Sequence, residues 1–98
     1  MYVGTLAIDV LLGDVRSLKQ KRSAVRPIVA ELRRKYAVAA AEVDHVDLYR
    51  RTVIGVATVA STMAQCIEVL DACERMVAAH PEIELLSVVR QLHSREDE

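Results

Sequence analysis

The spacing of apolar residues along this chain switches repeatedly between every second and every third or fourth position, and that order of periods limits the fold more than any other feature. From Tyr2 to Leu12, the residues Leu6, Ile8, Val10 and Leu12 fall on one side and Thr5, Ala7 and Asp9 on the other, the pattern of a half-buried strand that ends at Gly13-Asp14. With Ser17 placed at a helix start, Leu18, Val25, Ile28, Val29, Leu32 and Tyr36 lie within about 100° of one another on a helical wheel, a core-facing stripe. Pro27 leaves two forms of this helix open: a kink at Pro27, or a regular helix beginning near Ser23 after an irregular first turn. Ala37 to Asp44 and Thr52 to Ser61 are the next two strands, joined by the polar segment from His45 to Arg51 as a long hairpin. Thr62 followed by Gln65 resembles a capping box, and Met63, Ile67, Leu70, Cys73 and Val77 repeat at helical spacing until His80-Pro81 stops the helix. Ile83 to Leu92 makes the last strand.

The order βαββαβ folds most economically as an α+β, ferredoxin-like unit: a four-stranded antiparallel sheet with both helices on one face. Ninety-eight residues, 52% of them hydrophobic, supply one core, so the sequence predicts a single domain over residues 1–93 and a charged C-terminal tail over 94–98 that frays. Met1-Tyr2-Val3-Gly4 lacks a basic leader region, and Asp9 interrupts the apolar run to Leu12; this predicts a cytoplasmic protein without a membrane partner. Cys66 and Cys73 stand about 10 Å apart along one helix face, beyond the ~7 Å Cα limit of a disulfide, and read as reduced core residues.

Charge is distributed unevenly. Between residues 16 and 35 the chain places Arg16, Lys19, Lys21, Arg22, Arg26, Arg33, Arg34 and Lys35 against the single acid Glu31, although the net charge is only −1. With Leu18 at 0°, Lys19, Arg22, Arg26 and Arg33 cluster between about 40° and 100° on the wheel, a ridge beside the apolar stripe. Such a ridge can make a row of phosphate contacts on RNA or another polyanion, releasing counterions as it binds. The competing reading is a solvated helix face. Arg33, Arg34 and Lys35 suit it, because cations are favoured at a helix C-terminus, whereas Lys19, Lys21 and Arg22 oppose the positive N-terminal end.

Little else points to chemistry. Glu42, Asp44, His45 and Asp47 could offer oxygen ligands and one imidazole to a metal, or an acid/base pair, but their spacing matches no EF-hand, His-x-x-x-His or Cys-rich pattern. They read instead as a solvated loop that pairs with Arg50 and Arg51. Gly4, Gly13 and Gly55 are isolated and form no phosphate loop, and no Ser/His/Asp or Cys/His arrangement can be read. An RNA-recognition sheet stacks bases on strand aromatics, yet the aromatics here are Tyr2, Tyr36 and Tyr49, with none in Leu6–Leu12 or Thr52–Ser61, so phosphate or shape readout is expected.

The strings Ser17-Leu18-Lys19-Gln20-Lys21-Arg22-Ser23, Tyr36-Ala37-Val38-Ala39-Ala40-Ala41-Glu42-Val43-Asp44, Asp47-Leu48-Tyr49 and Ile54-Gly55-Val56-Ala57 resemble the YlxP-like family of small bacterial proteins, a domain of unknown function. The resemblance spans the chain and implies a ferredoxin-like fold and a bacterial, cytoplasmic protein whose genes often lie among those for translation and ribosome-maturation factors; it implies no activity. Tyr49-Arg50-Arg51 departs from the Trp-Gln-Arg of the family pattern.

These readings predict a non-enzymatic binding protein with no cofactor, no metal and no small-molecule substrate, which contacts RNA or a ribosomal particle through Lys19, Lys21, Arg22, Arg26 and Arg33. The alternative is a homo-oligomeric structural or regulatory module that binds protein, with the ridge serving only solvation. A homodimer is expected through the open sheet face or through an edge at Ala37 to Ala41, which carries no charge or proline to discourage pairing.

Overall fold

A computed structural model describes residues 1–94. The elements follow in the order β1 (Tyr2–Leu12), α1 (Leu18–Tyr36), β2 (Ala39–Asp44), β3 (Arg51–Ala60), α2 (Met63–Ala78) and β4 (Ile83–Ser94). All strand pairs are antiparallel in the spatial order β2-β3-β1-β4, which is the ferredoxin-like arrangement expected. Ser94 is strand, and the rest of the expected tail lies outside the described residues.

The alternation in β1 is a physical division between two environments. Leu6, Ile8, Val10 and Leu12 are buried with Ile54 and Val56 of β3 beneath the helices, and Val25, Ile28, Val29 and Leu32 of α1 with Leu70, Cys73 and Val77 of α2 close the core. Gly4 lets α2 approach: a Cβ there would stand 2.7 Å from Leu70 Cδ1. Cys66 and Cys73 are both free and buried, and burial pushes the Cys73 thiol above its ordinary value, which suppresses the reactive thiolate.

Helix α1 runs through Pro27 from a cap at Ser17, whose Oγ accepts from Gln20 N at 3.1 Å, while the Gln20 side chain reaches back to Arg16 N at 2.7 Å. The helix therefore does not wait for Ser23. An interior proline costs about 3 kcal/mol, but the four apolar side chains buried around it contribute roughly 1.5–3 kcal/mol each, so packing decides. Thr62 caps α2 in the same way, accepting from Gln65 N at 3.1 Å.

Strand β2 starts two residues later than its hydropathy suggests, because Ala37 is the left-handed cap of α1 (φ 54°), donating its N–H to Arg33 O. A Cβ in that region costs about 1 kcal/mol or more, so Ala37→Gly is expected to stabilise the fold by roughly 0.5–1 kcal/mol, raising Tm by a few degrees in a thermal melt. The edge formed by β2 is also less open than its alanines imply. Arg33 reaches over from α1 and donates Nε to Ala40 O at 2.9 Å, and the register slips between Glu42 and Asp44, leaving Val43 as an extra residue. A bonded edge carbonyl and a bulge both discourage strand addition, which corrects the expectation of an unprotected edge.

Candidate nucleic-acid interface

The ridge and the buried stripe of α1 arise from the same 3.6-residue period. Because Leu18, Val25, Val29 and Leu32 turn toward the sheet, Lys19, Arg22, Arg26 and Arg33, rotated to one side, remain exposed. All but Lys19 border a groove of about 630 Å³ between α1 and the β2 side of the sheet, with Arg22, Arg26 and Arg33 along the helix wall, Val25 and Val29 in the floor, Ala41, Val46 and Asp47 opposite, and Lys21 and Glu42 also in its lining. Among the described residues no acid lies within ion-pair distance of Lys19, Arg22 or Arg26. Arg16, by contrast, pairs with Asp14 at 3.1 Å, and Lys35 sits over the Tyr36 ring at 5.7 Å. Among the described residues, Lys19, Arg22 and Arg26 are therefore exposed cations without an ion pair in the N-terminal half of the helix, as Arg33, Arg34 and Lys35 are in its last turn.

Lys21 does not belong to it. Its side chain is 2% exposed, and Nζ bonds Glu42 Oε2 at 2.7 Å and donates to His45 O at 2.6 Å. Thr52, itself buried, donates Oγ1 to the same Glu42 oxygen at 2.6 Å. The expectation of Lys21 as a polyanion contact is thus corrected: an ammonium held by a carboxylate and a carbonyl beneath the surface cannot reach a phosphate. A signal was present, since Lys21 falls at about −60° on the wheel, between Ile28 and Leu32 and inside the apolar stripe. Thr52 was equally legible, two residues before Ile54 on the buried side of β3.

The loop after β2 is also organised differently from its sequence reading. Glu42 is taken up by Lys21 and Thr52, and Asp44 Oδ1 accepts from His45 N at 2.7 Å. His45 adopts a left-handed conformation (φ 57°), and its carbonyl accepts from Leu48 N as well as from Lys21. Arg50 and Arg51 do not pair with these acids. Arg50 Nε donates to Leu12 O and Gly13 O at 3.2 and 2.9 Å, while Arg51 forms a two-point contact with Asp9, Nη2 to Oδ2 at 2.7 Å and Nε to Oδ1 at 3.2 Å. The Asp9 carboxylate raises the Arg51 pKa further above its already high ordinary value, so the guanidinium stays charged at any working pH. Among the described residues no three His, Cys, Asp or Glu side chains gather as a coordination set, and no helix is long and apolar enough to cross a membrane.

What the arrangement offers is a short row of guanidinium groups, Arg22, Arg26 and Arg33, on a rigid helix over a groove whose far side is held in place by the Lys21 clamp on the His45 loop, with the exposed Lys19 ammonium on the same helix beyond the groove. Arginine forks suit phosphate oxygens, and the helix fixes their spacing before a ligand arrives. Comparison with known proteins identifies a family and names no chemistry. Residues 3–90 match the model of a family described as "Protein of unknown function (DUF503)". The chain is also 29% identical over 82 residues to "Uncharacterized protein YlxP" of Bacillus subtilis (strain 168), an alignment covering 84% of this chain and 89% of that protein.

Proposed function

We propose, on the premise that the chain belongs to the DUF503 family, that it is a non-enzymatic RNA-binding protein of the bacterial cytoplasm, engaging RNA phosphates, free or in a ribosome-associated assembly, through Lys19, Arg22, Arg26 and Arg33. One observation carries this reading: Lys19 and Arg22 stand exposed and unpaired in the first turns of α1, where the helix dipole disfavours cations. Lys21, the third cation of that region, has a structural reason to be there in Glu42; these two have none. A bound anion would supply one. Among the described residues the sheet's one Phe, Tyr or Trp is Tyr2 at the start of β1, short of the stacking platform that reads bases, so recognition rests on backbone phosphates.

Binding of this kind weakens steeply with salt. With three to four phosphate contacts on single-stranded RNA, log Kobs is expected to fall with log salt at a slope of about −2 to −3. The protein should be retained on immobilised RNA at low ionic strength and released at moderate ionic strength. Retention by a protein partner that resists salt, with none by RNA, would favour the interaction-module alternative.

A further inference from the structure

The geometry points to the open face of the sheet as the interface of a homodimer, which turns one basic ridge into two. The dimer stands on its own observations; its consequence for RNA rests on the reading of the ridge above. The helices cover one face of the sheet, and the other is apolar over most of its length. Val89, Ala7, Gly55 and Ala41 lie side by side across all four strands, and Gln91, Thr5, Ala57 and Ala39 form the next row. Val59 and Val89 on this face are 67% and 58% exposed, and Val43 leans over Gly55 with 57% exposed. Isolated valines on a surface are ordinary, but a continuous apolar face across four strands calls for a partner.

Three observations choose a second copy as that partner. The first is area: strands of 11, 6, 10 and 12 residues give a flat face of roughly 600 Å² at ~3.4 Å rise and ~4.8 Å spacing, the lower end of the roughly 600–1,000 Å² that each protomer of a standard interface buries. The second is charge. Asp9 with Arg51, Asp44 and Glu84 gather at one end of the face, and the rows beyond them carry no ionised carboxylate, lysine or arginine. A two-fold axis through those rows apposes apolar surface with apolar surface and leaves the two acidic ends apart, whereas a charged partner finds nothing to pair with there. The third concerns the two edges of the sheet: on β2 the Arg33 contact and the bulge at Val43, and on β4 the register shift that leaves Leu86 as an extra residue, oppose the rival route by strand addition.

Face-to-face packing places the sheets inside and both copies of α1 outside. The dimer then presents two ridges on opposite surfaces, so an RNA long enough to span both is held bivalently. Light scattering from micromolar to near-millimolar protein is expected to give twice the 10.9 kDa chain mass. Val89→Asp places a charge on the open face midway along the edge strand β4, at a position exposed in the single copy, and should give a folded monomer, checked by circular dichroism. This variant should match the parent on a short RNA oligomer and bind a long RNA at least tenfold more weakly. A parent that stays monomeric throughout, or a dimer that Val89→Asp leaves intact, overturns the interface. A dimer with no advantage on long RNA overturns the bivalent role, and a dimer that binds no RNA of either length overturns the ridge reading while supporting the interface.

Discussion

Lys21→Ala is expected to destabilise the protein by about 3 kcal/mol, near the lower end of the 3–5 kcal/mol cost of breaking a buried ion pair, because the Glu42 side chain keeps 24% of its exposure and water partly replaces the lost partner. For a domain of this size that is a fall in Tm of roughly 12–24 °C. Glu42→Gln should cost more, since it leaves the Lys21 ammonium, 2% exposed, without a counter-ion. The pair Lys21→Met with Glu42→Gln should recover most of the loss. No charge is then buried, the amide still accepts from Thr52, and His45 O keeps the bond from Leu48 N at 3.1 Å. Urea denaturation of the three variants checks this. A loss below 1 kcal/mol in Lys21→Ala would mean that the clamp is dispensable and that Lys21 is free to act elsewhere.

The second large effect is on binding. Arg22→Glu with Arg26→Glu reverses two exposed, unpaired charges outside the core stripe, so stability should change by no more than about 0.5 kcal/mol per site. Affinity for RNA should fall at least fivefold, about 1 kcal/mol or more, because each site changes from attracting a phosphate to repelling it. The two variants therefore separate two kinds of cation on one helix: Lys21, which the fold needs, and Arg22, which it does not. Native-like circular dichroism in Arg22→Glu with Arg26→Glu, together with loss of RNA retention, is the expected signature.

The division between these cations shows where the sequence was informative and where it was not. Period alone gave the six elements and the correct sheet, because alternation in β1 and the stripe of α1 reflect which face meets water. Ridge residues Lys19, Arg22 and Arg26 were legible for the same reason. The clamp was only half legible: the wheel puts Lys21 in the stripe, but nothing local says that Glu42, 21 positions on, will lie under it, since that depends on how β2 docks beside α1. Arg33 shows the same limit. Its place in the last turn of α1 was explained by the helix dipole, whereas its hydrogen bond to Ala40 O arises only because the Ala37 cap folds the chain back within seven residues. The bulge at Val43 left no mark in composition, and it ends the regular pairing of β2 just beyond the alanines.

The central claim, that the exposed cations of α1 contact phosphate while Lys21 does not, is tested most directly by the salt dependence of RNA affinity measured in parallel on the parent protein and on Arg22→Glu with Arg26→Glu. Each phosphate contact on a single strand contributes about −0.7 to the slope of log Kobs against log salt, so losing two contacts should make the slope shallower by about 1.4. The account predicts that change alongside the drop in affinity. An unchanged slope in the folded variant would contradict it and return the ridge to the role of a solvated helix face.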